Sequence, residues 1–324
     1  MSAPMRLLCL SNGHGEDTIA VKILQALQAI DPDPGYAVLP LVGDGKAYDA
    51  LSMPKVGETK AMPSGGFVYM DGRQLMRDLH GGLLQLTWQQ LRTIKHWGKK
   101  PGFVLAVGDL VPLLFAWWSG LPYAFVGTAK SEYYLRDEVG PLQRQSWWAR
   151  REGWSGSVYL PWERWFMHHK RCQAIFPRDR LTADVLQTFD LPVYDLGNPM
   201  MDGLMDYTKS QAEDDSGAPL IIALLPGSRA PEAIDNWTRI LQSLDPIAQI
   251  RPVPEWNRPQ LRFVAAIAPG LDLAPLHQAL EQNGWSARQS MGALDLPGEF
   301  ALDTHGFRKG RLHLYISQQS FAQT

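Results

Sequence analysis

The chain has 324 residues, of which 45% are hydrophobic and 20% are charged, and its formal net charge is −2. This length suffices for two α/β domains, since domains usually contain about 100–200 residues. The near-neutral charge gives no global electrostatic case for binding nucleic acid or for bulk attraction to anionic membranes. No segment approaches the ~20 continuous apolar residues of a membrane span, and the apolar run near the start is too short for a signal peptide. We therefore predict a cytoplasmic protein.

Short apolar runs alternate with longer amphipathic segments over the first 200 residues, which is typical of βαβ units and a mostly parallel sheet. The first strand is predicted at 6–11, followed by a loop over 12–17 and a helix over 18–30. Further strands are predicted at 36–42, 67–70, 103–107, 123–126, 174–176 and 193–196. A helix is predicted over 74–97, with an interruption at Gly81 and Gly82.

The polar, acidic segment 208–217 lacks large apolar side chains and is predicted to be a linker. Strands at 219–225, 261–267 and 312–316 and helices at 230–243 and 271–283 follow it. We therefore expect an α/β protein with two Rossmann-like domains, residues 1–207 and 219–324, joined by a linker at 208–218. Because the second series has fewer strands and stops where a helix begins, we expect the second domain to be incomplete.

The loop after the first strand combines glycines with polar side chains: Asn12, Gly13, His14, Gly15, Glu16 and Asp17. Glycines let the backbone approach a ligand, and a helix N-terminus offers unpaired N–H groups. The two carboxylates disfavour a bound pyrophosphate and suit the hydroxyls of a sugar. The alternative is a tight turn in which Asp17 caps the helix.

A second candidate is Asp109, which directly follows the buried strand at 103–107. At the carboxyl end of a strand it points into a cleft, where it could take a proton from an acceptor hydroxyl. Equally, it could cap a helix that starts near Leu110.

A third strand-to-helix turn lies in the second half, where Gly227, Ser228 and Arg229 are followed by Glu232. Backbone N–H groups, a hydroxyl and the guanidinium fork suit the oxygens of a nucleotide diphosphate. A helix cap with a surface arginine is the alternative. The turn at 196–202 is interpreted as either a structural hinge or a ligand contact.

Tryptophan and basic residues are concentrated between residues 145 and 180. Such a mixture favours either an aromatic cluster, in the core or between domains, or a surface that meets lipid headgroups. No nucleic-acid-binding motif accompanies it, so we expect no nucleic acid partner. The adjacent histidines His168 and His169 lack the partners of a metal site. The two cysteines, Cys9 and Cys172, are far apart and are predicted to be reduced thiols.

The sequences SNGHGED, LGNPMMD, LLPGSR, YLPWERWFM and FPRDRLT resemble the lipid-A-disaccharide synthases and, more closely, the bacterial proteins related to them. The resemblance covers nearly the whole chain. It implies a GT-B fold and an inverting transfer from a UDP-sugar to a lipid-linked sugar at the cytoplasmic face of the membrane. It also implies that the first half binds the acceptor and the second half the donor. A continuation that in such proteins completes the donor site is not found after residue 324, so we expect a truncated chain.

By this resemblance Gly227, Ser228 and Arg229 are donor-site residues, and Asp109 stands where the family has its proposed catalytic aspartate. The GDLVP sequence around Asp109 departs from the family pattern, and HGED replaces a serine-containing loop. We expect a single displacement in which a base, Asp109 in the first place and Glu16 in the second, deprotonates the acceptor, with no metal and no cofactor. The rivals are a UDP-sugar epimerase on the same fold and an inactive chain that only binds a lipid or partner.

Overall fold

The structure is a computed structural model that describes residues 6–32, 35–59, 83–143, 153–202, 220–227, 230–249, 261–268, 271–287, 304–310 and 312–318. The chain divides into two compact units, Met1–Asp202 and Gly203–Thr324. The predicted linker at 208–218 lies outside the described residues, so the domain limits at 207 and 219 stay predictions.

The first unit is built on a parallel sheet, as the alternation of strands and helices predicts. Its strands are β1 (Leu7–Ser11), β2 (Tyr36–Pro40), β3 (Phe103–Gly108), β4 (Tyr123–Gly127) and β5 (Cys172–Phe176). Their order is β2-β1-β3-β4-β5, and each neighbouring pair is parallel. Among the described strands this 2-1-3-4-5 order is one of the two common orders of a doubly wound α/β sheet.

Helices cover both faces of this sheet. They are α1 (His14–Ile30), α2 (Leu83–Trp97), α3 (Leu110–Ser119), α4 (Pro161–Met167) and α5 (Arg180–Gln187). The connections to β3, β4 and β5 move across the sheet in one direction, so right-handed crossovers put α2, α3 and α4 in one layer. The connection from β1 to β2 runs in the opposite direction and puts α1 on the other face. The packing agrees, since α3 contacts both α2 and α4.

Two hydrophobic cores follow from this layering. In β1, Leu8 and Leu10 belong to the core under α2–α4, whereas Leu7 and Cys9 belong to the core under α1. Successive side chains of a strand point to opposite faces, so a strand covered on both faces is an unbroken apolar run. This is the physical origin of the sequence LLCL.

The second unit contains a mixed sheet. Its elements are β6 (Leu220–Leu224), α6 (Glu232–Gln249), β7 (Leu261–Ala266), α7 (Leu273–Gln282), β8 (Ser286–Ala287), β9 (Thr304–Lys309) and β10 (Leu312–Ser317). The strand order is β6-β7-β10-β9-β8. β6, β7 and β10 are parallel, whereas β9 is antiparallel to both of its neighbours. The core is centred on the buried side chains of Trp237 and Phe263.

The structure corrects three expectations. Helix α1 begins at His14 rather than at residue 18, so the predicted loop is largely the first helical turn. Residues 193–196 form no strand: Val193 makes a single bridge to Ile175, after which Leu196 is exposed and buries no face. The antiparallel strands β8 and β9 were not predicted. The expected strand at 67–70 and the beginning of the helix at 74–97 lie outside the described residues.

Candidate functional site

The carboxyl ends of β1 and β3 meet at the point where the strand order reverses. From β1 the chain crosses to β2 on one side, and from β3 it crosses to β4 on the other. Open α/β sheets bind ligands outside such a reversal point, because the diverging connections leave a crevice there. Asn12 follows β1 and Asp109 follows β3, so both predicted residues lie at this position.

Asp109 is hydrogen-bonded on one carboxylate oxygen by two groups. Its Oδ1 accepts from the Val111 N–H at 2.9 Å, which caps α3, and from Nδ2 of Asn12 at 3.2 Å. Both side chains are buried. Burial raises the pKa of the Asp109 carboxyl, and the nearby Lys130 charge opposes that rise. The capping role that the sequence left open for Asp109 is therefore present in the structure.

Gly108 lets these groups approach one another. A Cβ at this position would lie 3.2 Å from Cγ of Glu16 and 3.5 Å from Cβ of Asn12, and its φ of 135° is unfavourable for other residues. Within the described part of the chain, Oδ1 of Asn12 is buried and has no hydrogen-bond partner. A buried carbonyl oxygen of this kind has unused capacity to accept a hydrogen bond.

The first turn of α1 directs the carboxylates of Glu16 and Asp17 to different sides of the helix. Asp17 is buried and accepts a 2.5 Å hydrogen bond from Oγ of Ser11, which in turn accepts from the hydroxyl of Tyr48 at 2.6 Å. Asp17 thus fastens α1 to the end of β1. Its alternative role as the N-cap is wrong, because Gly13 occupies the cap position.

Glu16 lies on the other side of that turn and lines a cavity of about 240 Å³ in the first unit. Gly15 from the same predicted loop also lines it. The side chain of His14 lies outside the described residues. The full lining is Gly15, Glu16, Ile19, Val126, Gly127, Thr128, Phe176, Pro177, Arg178, Gly197, Asn198, Pro199 and Met200.

Sequence reasoning missed Thr128 and Arg178 as site residues, and it left the turn containing Asn198 undecided. Thr128 follows β4 and Arg178 follows β5. The available signal was position, since each comes one or two residues after a strand of the parallel sheet. Oγ1 of Thr128 is buried without a hydrogen-bond partner among the described residues.

An ion pair with a buried carboxylate lies just beyond β4. Nζ of Lys130 contacts both carboxylate oxygens of Glu163, at 2.5 and 2.7 Å, and the Glu163 side chain is 1% exposed. Glu163 also accepts from the N–H of Leu160 at 2.8 Å, where α4 begins. The pair therefore ties the carboxyl edge of the sheet to α4.

In the second unit, the predicted donor turn is described in part. Gly227 is exposed at the turn after β6, and Glu232 is the exposed first residue of α6. Nδ2 of Asn236 donates to the Pro226 carbonyl at 3.1 Å, which fixes the turn against that helix. Ser228 and Arg229 lie outside the described residues.

The aromatic and basic segment is mostly external where it is described. Trp154, Trp162 and Trp165 are each more than half exposed, so they do not form an aromatic core. Trp147 and Trp148 lie outside the described residues. Over the described chain no helix is long and apolar enough to cross a membrane, and no three His, Cys, Asp or Glu side chains converge as a metal site would require.

Both cysteines are buried free thiols. Burial raises the pKa of the Cys9 thiol, and it raises that of Cys172 to about 12. Neither thiol is therefore a thiolate nucleophile at neutral pH.

No protein-family model matches the chain, and no curated protein sequence matches it. Solved structures do resemble it. MurG from Acinetobacter baumannii shares 12% identity at a TM-score of 0.41, with 98% of this chain and 69% of that chain covered. A putative UDP-N-acetylglucosamine 2-epimerase from Listeria monocytogenes shares 11% identity at a TM-score of 0.48, with 99% and 70% covered.

A ugt transferase from Siraitia grosvenorii, in complex with UDP, shares 12% identity at a TM-score of 0.46, with 81% of this chain and 65% of that chain covered. All three TM-scores are below 0.5. The assignment of the chain to the α/β class with Rossmann-like sheets therefore rests on its own strand order and helix layers.

Proposed function

We propose that the chain is an inverting glycosyltransferase of GT-B type that moves a sugar from a UDP-sugar to a lipid-linked acceptor, as in the lipid-A-disaccharide synthases it resembles. The observation that supports this most is the cavity beside the reversal point of the first sheet. It combines the carboxylate of Glu16 with the guanidinium of Arg178 and the amide of Asn198.

This lining suits the ring of a sugar. A carboxylate accepts hydrogen bonds from hydroxyls, whereas a guanidinium donates them in a fixed fork. Ile19 and Phe176 supply an apolar wall for the ring carbons. The volume lies below the ~300–1,000 Å³ of sites for larger ligands, so one sugar ring is the expected occupant, with the rest of the acceptor outside.

We propose Glu16 as the general base, with Asp109 as the second candidate. Glu16 lines the cavity, whereas Asp109 is not among the residues that line it. In the single displacement, the acceptor hydroxyl gives its proton to Glu16 while its oxygen bonds to the anomeric carbon. The bond from that carbon to the UDP oxygen breaks, and the charge developing there needs cationic and N–H donors.

The donor site is proposed at Gly227, Ser228, Arg229 and Glu232, where a strand-to-helix turn carries an arginine. Isothermal titration with UDP tests this assignment. Arg229→Ala should weaken UDP binding by about 2–5 kcal/mol, the usual loss when one member of a charge pair is removed. Glu281→Ala, a change on another helix of the same unit, should leave the affinity unchanged. Equal affinity in Arg229→Ala and the parent protein would remove the assignment.

The reaction is tested by incubating UDP-N-acetylglucosamine and UDP-glucose with a synthetic alkyl glycoside and measuring UDP release. Glu16→Gln should reduce release by roughly 10²–10⁴, the usual contribution of a general base. Asp109→Asn is the matched control, because asparagine caps a helix about as well as aspartate. The same loss in Asp109→Asn alone would reverse the two roles. Formation of an epimer without acceptor would indicate an epimerase, and the absence of both products would contradict the proposal.

A further inference from the structure

One hydroxyl in the wall of the cavity has no hydrogen-bond partner among the residues that the structure describes. It is Oγ1 of Thr128, which is buried. Of the unpartnered buried side-chain atoms in the described chain, it is the one whose residue lines the cavity. A buried hydroxyl without a partner lowers the stability of a fold, whereas valine would fill the same space without that cost. Packing within the first unit therefore does not explain why the side chain is a threonine.

The backbone of Thr128 is fixed at the carboxyl end of β4. Its N–H donates to the Gly108 carbonyl at 3.1 Å, which extends the pairing of β4 with β3 by one residue. The preceding Gly127 has no room for a side chain, because a Cβ there would overlap the hydroxyl oxygen of the buried Tyr159. Rotation of the Thr128 side chain between staggered positions exchanges its hydroxyl with its methyl group, which differs little in size. The hydroxyl can therefore turn toward the cavity while the backbone stays in place.

We propose that Thr128 recognises a second hydroxyl of the sugar ring whose reacting hydroxyl Glu16 deprotonates. This assignment rests on the proposed function and names a residue that decides which ring is accepted. A threonine hydroxyl both donates and accepts a hydrogen bond, as a sugar hydroxyl does. A phosphate or carboxylate matches this position less well, because the carboxylate of Glu16 lines the same small cavity and like charges repel. The cation two residues further along, Lys130, is paired with Glu163.

Binding of methyl β-D-glucopyranoside and of its monodeoxy analogues to the full chain tests this role without any UDP-sugar. Titrations followed by saturation-transfer NMR give the dissociation constants. Thr128→Val should raise the dissociation constant of the glycoside about tenfold, the effect of one neutral hydrogen bond, and Thr128→Ser should restore it. With one monodeoxy analogue the parent protein should already show this loss, and Thr128→Val should add nothing to it. The control is Thr188→Val, a change beyond the end of α5 and outside the cavity lining, which should bind like the parent.

Thermal unfolding without any glycoside separates recognition from a structural role of Thr128. The matched control is Thr182, a buried threonine whose hydroxyl has partners. Its Oγ1 accepts from the Glu132 N–H at 2.9 Å and donates to Oδ1 of Asp179 at 2.8 Å. Thr182→Val should lower the midpoint temperature by about 2–4 °C, because it leaves these partners unsatisfied. Thr128→Val should leave the midpoint unchanged or raise it, because no bond within the described chain is lost.

Recognition by Thr128 is overturned if Thr128→Val binds the glycoside like the parent, or if its loss is the same for every monodeoxy analogue. It is also overturned if Thr128→Val unfolds as far below the parent as Thr182→Val does, or if the parent binds neither the glycoside nor any analogue. A protein that binds the glycoside through Thr128 but releases no UDP would retain this recognition and lose the proposed transfer. UDP release that is unaffected by Thr128→Val would have the opposite meaning.

Discussion

The two sides of the first sheet use the same strands for different purposes. On the side of α1, polar groups enter the interior in a bonded set, Asp17 with Ser11 and Tyr48. A cavity lined by Glu16 lies at the carboxyl edge of the sheet on this side. On the side of α2–α4, the core under the helices is apolar, and several large rings on the outer surface are exposed, among them Trp88, Trp118 and Trp165. The strands β1, β3 and β4 contribute side chains to both faces of the sheet. A substitution on one of these strands therefore affects the face whose core contains the substituted side chain.

This difference predicts which substitutions will destabilise the protein and which it will tolerate. Buried polar groups stabilise a fold only when each keeps its partner, and removing one partner leaves the other desolvated. Exposed rings and cations cost little to remove, because water replaces their contacts. We therefore expect larger losses of stability from substitutions at the carboxyl edge than from substitutions on the exposed surface.

The largest expected loss of stability follows from Lys130→Met. It leaves the buried Glu163 carboxylate with the Leu160 N–H but without its cation, and we expect a cost of about 3 kcal/mol in the free energy of unfolding. The pair of Lys55 with Asp49 has a similar distance, 2.6 Å, but its carboxylate is 65% exposed. Lys55→Met should therefore cost at most about 1 kcal/mol.

Urea unfolding measures both variants. Adding Glu163→Gln to Lys130→Met should restore most of the stability, since the uncompensated charge is then gone. Equal losses in Lys130→Met and Lys55→Met would mean that burial of the carboxylate does not distinguish the two pairs.

A smaller effect is expected from two glycines that line the cavity. A Cβ on Gly127 would lie 2.2 Å from the hydroxyl oxygen of Tyr159, which is buried and cannot swing away. Gly127→Ala should cost about 1–3 kcal/mol, as overpacking of a core does. A Cβ on Gly15 meets nothing within 4 Å, so Gly15→Ala should stabilise α1 by about 0.5 kcal/mol. The midpoint temperature of thermal unfolding should therefore fall for Gly127→Ala and rise for Gly15→Ala. A change in the same direction for both variants would contradict the packing around Tyr159.

The smallest effect concerns pH and Asp109. Burial raises the folded-state pKa of this carboxyl above its ordinary value of 3.8. As the pH rises past 3.8 the unfolded chain ionises first, so the folded protein loses stability until the folded pKa is passed. Asp109→Asn removes this group while keeping the cap. As the pH rises through that interval, the free energy of unfolding of the parent protein should fall relative to that of Asp109→Asn. A difference that is independent of pH would show that the carboxyl titrates normally.

Much of the scaffold could be predicted from the sequence. Runs such as LLCL and VLAVG are almost wholly apolar, as a strand covered on both faces requires, and each was found as a strand of the parallel sheet. The position of Asp109 after such a strand was also visible. By contrast, the stretch at 193–196 has the composition of a strand, but its pairing is limited to the single bridge between Val193 and Ile175. Composition alone does not show whether a segment has a neighbouring strand with which to pair.

The sequence by itself determined that polar residues follow the buried strands. A parallel strand covered on both faces is apolar, and the chain leaves the core in the turn that follows it. Only the tertiary structure decided which of those residues share a space. It put Glu16 in the cavity and Asp17 in the interior, one residue apart, because a helix turns by about 100° per residue. It joined Glu16 to Thr128 and Arg178, which are more than 100 residues distant, because parallel strands bring all their carboxyl ends to one edge. It likewise put the exposed rings of Trp88, Trp118 and Trp165, which come from three helices, in one layer, since helices that follow the same crossover direction pack together.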